Sequence, residues 1–404
     1  MDAATLPAPT TSPPPDWTAA FSRRMARVRA SEIRELLKLL DQPDILSFAG
    51  GIPDPALFPV EAIRTAYAET LADPDTAAQA LQYSVSEGYL PLRRWIAARM
   101  TEDGAPCDAG NIVLTAGSQQ ALDLLGKLLL SPGDRVATAR PTYLGALQAF
   151  TAYEPDYLEP SEFGEAVGRR ALGYFVPDFA NPTGESLSRQ DRERLLTLAE
   201  QQDMILVEDA AYRELRFSGD ALPSLLALDI GRCGSIEAAR TVFCGTFSKT
   251  LSPALRIGWI CAPRAVVERI VLLKQSADLH VSTINQIVAH RVVGGDYEGH
   301  LAGLRSAYAG RAAAMQAALK AHMPAGVSWS RPEGGMFVWL RLPEGMDARP
   351  LLERAIAEQR VAFVPGEPFF AGRAETNTLR LSYSLPGEAQ IHEGVARLAA
   401  LIGG

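Results

Sequence analysis

The sequence predicts an α/β fold: a large, mostly parallel β-sheet covered by helices on both faces, followed by a smaller α+β lobe. Three observations lead there. Between Asn111 and Pro263, short apolar runs alternate with stretches of helical spacing, which is the pattern of a sheet buried on both sides. From "GVSWSRPEGGMFVWLRLP" to the end, strand-like and helix-like stretches mix, as in a separate lobe. The 404 residues are 47% hydrophobic and 21% charged, an ordinary globular composition with ample chain for a large core.

The elements follow in order. Apolar spacing is helical from Trp17 to Leu40, with Ser31 placed to cap "SEIRELLKLL". "ILSFAGGIPDPALFP" is a loop, since paired glycines and prolines break regular structure. Helices are expected over Val60–Ala72 and Leu90–Met100. "NIVLTAG" reads as a buried strand and "SQQALDLLGKLLL" as a helix. "DRVATAR" is the next strand and "YLGALQAF" the next helix. "LGYFVPDFANPTG" is a strand running into a turn, and "SRQDRERLLTLAEQQD" is a helix. "MILVEDAAY", "TVFCGTFSK" and "RIGWICAP" complete the strands. Helices dominate from Pro263 to His322. The expected division is a tail over 1–16, an N-terminal helix and arm over 17–59 belonging to the small domain, a large domain over 60–295, and a C-terminal small domain over 296–404.

Composition excludes several classes of function. The formal charge of -8 argues against a nucleic-acid scaffold, which usually presents a basic face. The four cysteines form no C-x-x-C pair and lie near no histidine cluster, so no metal site is expected, and a disulfide framework is unexpected in so long a chain. No apolar run reaches membrane-spanning length. The first residues, "MDAATLPAPTTSPPPDW", lack a basic and an apolar signal region and read as a disordered tail; a cytoplasmic setting is the expectation.

In an open parallel sheet, ligands bind outside the carboxyl ends of the strands. The polar residues after each strand should therefore form one chemical set. They are Ser118 and Gln119, Tyr143, Asn181, Asp209, and Ser248 with Lys249. Taken singly, each has a plain reading. Lys249 could be an exposed loop lysine, Ser118 a helix cap, and Asn181 or Asp209 a turn residue. Tyr143 could be a packed tyrosine.

"NPTG", "VEDAAY" and "FSKTLSPALRIGW", in that order, resemble the fold-type-I pyridoxal-phosphate aminotransferases of classes I and II, over the chain from about Trp17 onward. "SFAGGIPDPALFP", "QYSVSEGYLPLR", "TAGSQQALDL", "GGMFVW" and "LRLSYS" resemble the group of 2-aminoadipate and kynurenine aminotransferases. The resemblance implies a seven-stranded large domain and the cofactor pyridoxal 5′-phosphate. It implies Lys249 as the amine that joins the cofactor aldehyde and then moves a proton. Asp209 would pair with the pyridine nitrogen, Asn181 and Tyr212 with the phenolic oxygen, and Tyr143 would stack on the ring. Gly117, Ser118, Gln119, Ser248 and Arg256 would hold the phosphate, because a helix start and a guanidinium both favour an anion. The basicity of Lys249 should be lowered by desolvation and nearby cations, with Arg256 a candidate cation. Arg380 would clamp the substrate α-carboxylate. Gly51 would let the backbone approach the substrate, and Arg34 would meet a distal carboxylate. A tyrosine matching Tyr83 reaches the phosphate of a neighbouring subunit, which implies a homodimer with composite sites.

The implied reaction is a ping-pong transfer from an amino acid, 2-aminoadipate or another dicarboxylic or broad-range donor, to 2-oxoglutarate. An aromatic or branched-chain donor is the alternative, as is another reaction of the same cofactor such as β-elimination or decarboxylation. A regulator with this fold is set aside because only tail-like residues precede Trp17. Two departures stand out: Ala210 replaces the second acid of the usual "VEDDAY", and the segment over 159–174 is short.

Overall fold

A computed structural model describes residues 15–28, 44–158 and 171–403. Ser31, Arg34, most of the short 159–174 segment and residues 1–14 of the tail lie outside the described residues. Thirteen strands are described. The first five are β1 (Leu46–Ser47), β2 (Ile112–Thr115), β3 (Arg135–Thr138), β4 (Asp156–Tyr157) and β5 (Ala171–Phe175). Then come β6 (Ile205–Asp209), β7 (Thr241–Thr246), β8 (Gly258–Cys261) and β9 (Ser328–Trp329). The last are β10 (Phe337–Arg341), β11 (Val361–Ala362), β12 (Val364–Pro365) and β13 (Thr378–Ser382).

The large sheet has seven strands in the order β2-β8-β7-β6-β5-β3-β4. Every pair among β7, β6, β5, β3 and β4 is parallel, and β8 runs antiparallel to both of its neighbours. The reversal of β8 follows from its connection. A parallel return needs a crossover of a dozen or more residues, usually a helix. The chain instead turns back after β7 through a short stretch with one 3-10 turn at Pro253–Leu255. β2 and β7 are buried at every position, as continuous apolar runs in a covered sheet must be.

Four strands, β12-β13-β10-β9, form a second, antiparallel sheet. β1 and β11 form a small parallel pair, with Leu46 opposite Val361, so the segment before the first long helix is stitched to the C-terminal part. The helices Val60–Ala72, Ser118–Leu129, Leu144–Thr151 and Arg189–Gln201 fall where the spacing placed them. The second helix runs slightly longer than expected, to Glu102. Among the described residues no helix is long and apolar enough to cross a membrane.

Several elements differ from expectation. Instead of one helical run from Trp17, the structure has a single turn at Trp17–Ala20, extended backbone at Phe21 and Ser22, and a 3-10 turn at Arg23–Ala26. None of these residues is buried, and a short helix without tertiary packing is marginal. Helices at Pro74–Leu81 and Leu225–Cys233 were not anticipated. Both start on caps: Asp73 accepts from Thr76 N, and Ser224 from Ala227 N. Buried Glu208, the residue before Asp209, also accepts from Leu225 N at 3.0 Å and Leu226 N at 2.9 Å.

The loop after β5 is held by a fully buried arginine. Arg192 donates to both oxygens of Asp178, at 2.7 and 3.3 Å, and to the carbonyls of Pro177, Leu187 and Pro223. All five of its N–H groups are thereby used. Arg213 also pairs with Asp178, at 3.2 Å, so removing Arg192 leaves the carboxylate one cation fewer and takes the donor from buried carbonyls. Arg192→Ala is expected to lower the free energy of unfolding by about 2–4 kcal/mol. Urea unfolding, with the midpoint shifted at unchanged slope, measures it.

Candidate active site

The carboxyl ends of the parallel strands bring together most of the expected residues. Asp209 ends β6, Ser248 and Lys249 follow β7, Tyr143 and Asn181 lie on the loops after β3 and β5, and Gly117 to Gln119 open the helix after β2. The antiparallel sheet adds Arg380 from β13. The segment after β1 adds Gly51.

Lys249 donates from Nζ to the Gly51 carbonyl at 3.1 Å, and its Nζ lies 5.8 Å from the centre of the Tyr212 ring. Burial and the nearby Arg380 guanidinium pull its pKa down to about 8. Asp209 works in the opposite direction and Arg256 contributes last. Arg256, a candidate cation from the sequence, does lower the pKa, and Arg380, from the far end of the chain, lowers it more.

Asp209 is buried, and burial pushes its pKa up to about 6. Three neighbours favour its charged form: the Tyr174 hydroxyl, the Ala211 amide and Lys249. Tyr174 on β5 donates to Oδ2 at 2.8 Å. Sequence reasoning missed Tyr174. Its only signal is position, a tyrosine inside an apolar strand next to the one that carries the acid.

Arg380 is 2% exposed and lies over two rings, with its guanidinium carbon 4.4 Å from the centre of Phe337 and 5.2 Å from that of Phe369. Nη1 donates to Asn181 Oδ1 at 2.7 Å and Nη2 to the Ala49 carbonyl at 2.8 Å. Desolvation lowers its pKa to about 10. Tyr212 is buried with its hydroxyl hydrogen-bonded to Asn181, and burial raises its pKa. At Gly51 a Cβ would stand 2.8 Å from the Phe337 ring, so the close approach requires glycine.

The turn before the helix Ser118–Leu129 is built tightly. Gly117 has φ +82°, and a Cβ there would stand 2.7 Å from Arg256 Nη2. Arg256 Nη2 donates to the Ala116 carbonyl at 2.8 Å. Ser248 donates its N–H to Thr246 Oγ1, whose own hydroxyl donates to Ser248 Oγ at 2.9 Å. Gln119 donates to the Gly145 carbonyl, and the Tyr143 hydroxyl is 3.5 Å from Gln119 Oε1. Within this chain Tyr83 is not brought to the cluster. It is 79% exposed and packs edge-on against His280. Arg34 is outside the described residues, and Ala210 is buried.

The donor set fits a phosphorylated pyridine aldehyde. Asp209 Oδ1 is buried and makes no hydrogen bond among the described residues, an acceptor suited to a ring N–H. The free N–H groups of a helix start, a hydroxyl and a guanidinium suit a phosphate. An amine of reduced basicity suits an aldehyde. Beside Asn181 lies a cavity of about 520 Å³, whose lining includes Arg140, Thr142, Gly184 and Arg331.

Known proteins share this fold. The family model described as aminotransferase class I and II matches residues 172–398. Aromatic-amino-acid aminotransferase 1 of Thermococcus litoralis is 43% identical, over 97% of this chain and 96% of its own length. The 2-aminoadipate transaminase of Thermus thermophilus is 42% identical, over 97% and 98%. Among solved structures, Pyrococcus horikoshii kynurenine aminotransferase, described in complex with PMP, has a TM-score of 0.89 at 41% identity, covering 96% of this chain and 98% of that one. The Thermus thermophilus α-aminoadipate aminotransferase LysN, complexed with N-(5′-phosphopyridoxyl)-L-leucine, has a TM-score of 0.86 at 40% identity, with the same coverage. A lysine of lowered basicity facing a buried carboxylate and a buried guanidinium, on a fold shared nearly end to end with these enzymes, leads to one conclusion: the chain belongs to the class I and II aminotransferases, the fold-type-I pyridoxal-phosphate enzymes.

Proposed function

We propose that Lys249 is the catalytic amine of a transamination that runs from a dicarboxylic or broad-range amino acid to 2-oxoglutarate. The observation that carries this reading is the partly buried Lys249, whose amine donates to the Gly51 carbonyl and has its basicity lowered near Arg380. When bound, pyridoxal 5′-phosphate supplies an aldehyde carbon that takes the substrate amine and a pyridine ring that draws electrons from Cα.

The chain's own groups do the rest. Asp209, steadied by Tyr174, holds a proton on the ring nitrogen. Asn181 and Tyr212, already joined to each other, orient the ring oxygen. Tyr143 would lie against the ring. Gly117, Ser118, Gln119, Ser248 and Arg256 would hold the phosphate. The guanidinium of Arg380 takes the α-carboxylate of the substrate in bidentate fashion, which fixes Cα near Lys249. Lys249 Nζ then removes the Cα proton and returns one on the other side of the transfer, a role worth roughly 10²–10⁴-fold in rate. The Gly51 carbonyl orients the amine for this.

The donor remains the finer question. Relatives named for 2-aminoadipate and for aromatic amino acids are equally similar, which supports a broad range. Arg34 is proposed to favour acidic donors. We further propose a homodimer in which Tyr83 of each chain completes the phosphate site of the other. Its high exposure within one chain supports this. Residues 296–404 with the 17–59 arm are proposed as a small domain, and the protein is proposed to act in the cytoplasm.

Three outcomes are expected. Borohydride treatment of the protein loaded with pyridoxal phosphate should leave an adduct on the peptide carrying Lys249, and Lys249→Ala should lack both the adduct and transamination. A colourless wild type with no adduct overturns the function. Second, the lowered pKa means the amine is neutral above about pH 8 instead of above its ordinary 10.5. Capture of pyridoxal phosphate by apo-protein, followed by visible absorbance, should therefore speed up with rising pH and level off near 8. A rate that keeps climbing to pH 10 contradicts it. Third, Arg34→Ala should slow the half-reaction with 2-aminoadipate more than that with leucine, and equal slowing removes Arg34 from specificity.

A further inference from the structure

An ion pair of a buried lysine and a partly buried aspartate sits directly behind the turn that opens the helix Ser118–Leu129. Lys274, on the helix Arg264–Ala277, is fully buried. Its Nζ donates to both oxygens of Asp278 at 3.1 Å and lies 3.4 Å from Gln120 Oε1. The Gln120 amide is used at both ends: Nε2 donates to Asp278 Oδ2 at 2.7 Å, and Oε1 accepts from the Ala116 backbone N–H at 2.7 Å. None of these three residues touches the reacting atoms in the mechanism above.

We propose that Gln120, Lys274 and Asp278 are positioning residues for the phosphate cradle. The argument rests on what the Ala116 peptide does. Its N–H is held by Gln120 and its C=O by Arg256. The next residues are also tied, with Gly117 N donating to the Thr115 carbonyl and Thr115 Oγ1 to the Gly117 carbonyl. This fixes the direction of the Ser118 and Gln119 N–H groups, which have no acceptor inside a helix at its first turn. It also fixes Arg256 against the turn.

A buried charge pair is poor evidence for stability, since apolar replacements of equal volume are often neutral or better. Its presence here is explained by orientation. A side-chain amide that accepted only one hydrogen bond could rotate, whereas one gripped at both ends by an ion pair cannot. The ion pair fixes the amide, the amide fixes the peptide, and the peptide aims the donors.

This inference rests on the reading of the helix start as the cofactor's phosphate site, and the test separates the two. Apo-protein is titrated with pyridoxal 5′-phosphate and with pyridoxal, which lacks the phosphate, and binding is read by absorbance. Gln120→Leu should weaken pyridoxal phosphate about tenfold or more, equal to ~1.4 kcal/mol, and leave pyridoxal within about twofold. The double variant Lys274→Met with Asp278→Leu, chosen to keep the fold by replacing the pair with apolar volume, should show the same selective loss at an unchanged melting temperature. Equal weakening of both vitamers means general loosening of the site and overturns the proposal, as does unaltered pyridoxal phosphate binding in the double variant. Absence of vitamer binding by wild type sinks the functional reading and the inference with it.

Discussion

The site depends on keeping an amine, a guanidinium and a carboxylate together out of water. Arg380 and Asp209 are buried and Lys249 is partly buried, and desolvation moves the basicity of all three. Desolvation and the Arg380 charge raise the cost of protonating Lys249, while desolvation alone raises the cost of ionising Asp209, which Lys249 partly offsets. The fold holds this arrangement because each charged group sits on a different rigid element. Asp209 ends a central strand, Lys249 follows the next, and Arg380 belongs to a separate sheet. The same constraint explains the surrounding hydrogen bonds, since Tyr174, Asn181 and the carbonyls of Ala49 and Gly51 satisfy groups that water cannot reach.

A second shell of polar contacts aims the first. Arg192 closes the loop that carries Asn181, and Gln120 closes the turn that carries Ser118. In both cases a side chain takes over hydrogen bonds that irregular backbone cannot make for itself. Loops at the carboxyl edge of a parallel sheet are free of ladder pairing, which suits them to chemistry and leaves their stiffness to such contacts.

Much of this was legible in the sequence, for a definite physical reason. The alternation of buried strands with helices forces strand ends to one edge, so the residues after each run had to converge. Asp209, Lys249, Asn181 and Tyr143 were found that way. Arg380 and Tyr212 came from the motif resemblance. The reversed β8 was not legible, because apolar runs carry no direction. Tyr174, Gln120, Lys274 and Asp278 escaped because their roles exist only through contacts between elements. Gln120 and Asp278, for instance, are 158 residues apart. The larger influence of Arg380 over Arg256 on the lysine is of the same kind, a matter of distance and desolvation rather than of sequence neighbourhood.

The pairing of β1 with β11, and of Arg380 with the Ala49 carbonyl, has a consequence for synthesis. Contacts between the two ends of the chain form last and slowly, since both ends must exist and meet. A chain still emerging from the ribosome can assemble the strands that carry Asp209 and Lys249, but it has no β13. Until that strand docks, the pocket is without the second contribution to the lysine's lowered basicity and without the guanidinium proposed to anchor a substrate carboxylate.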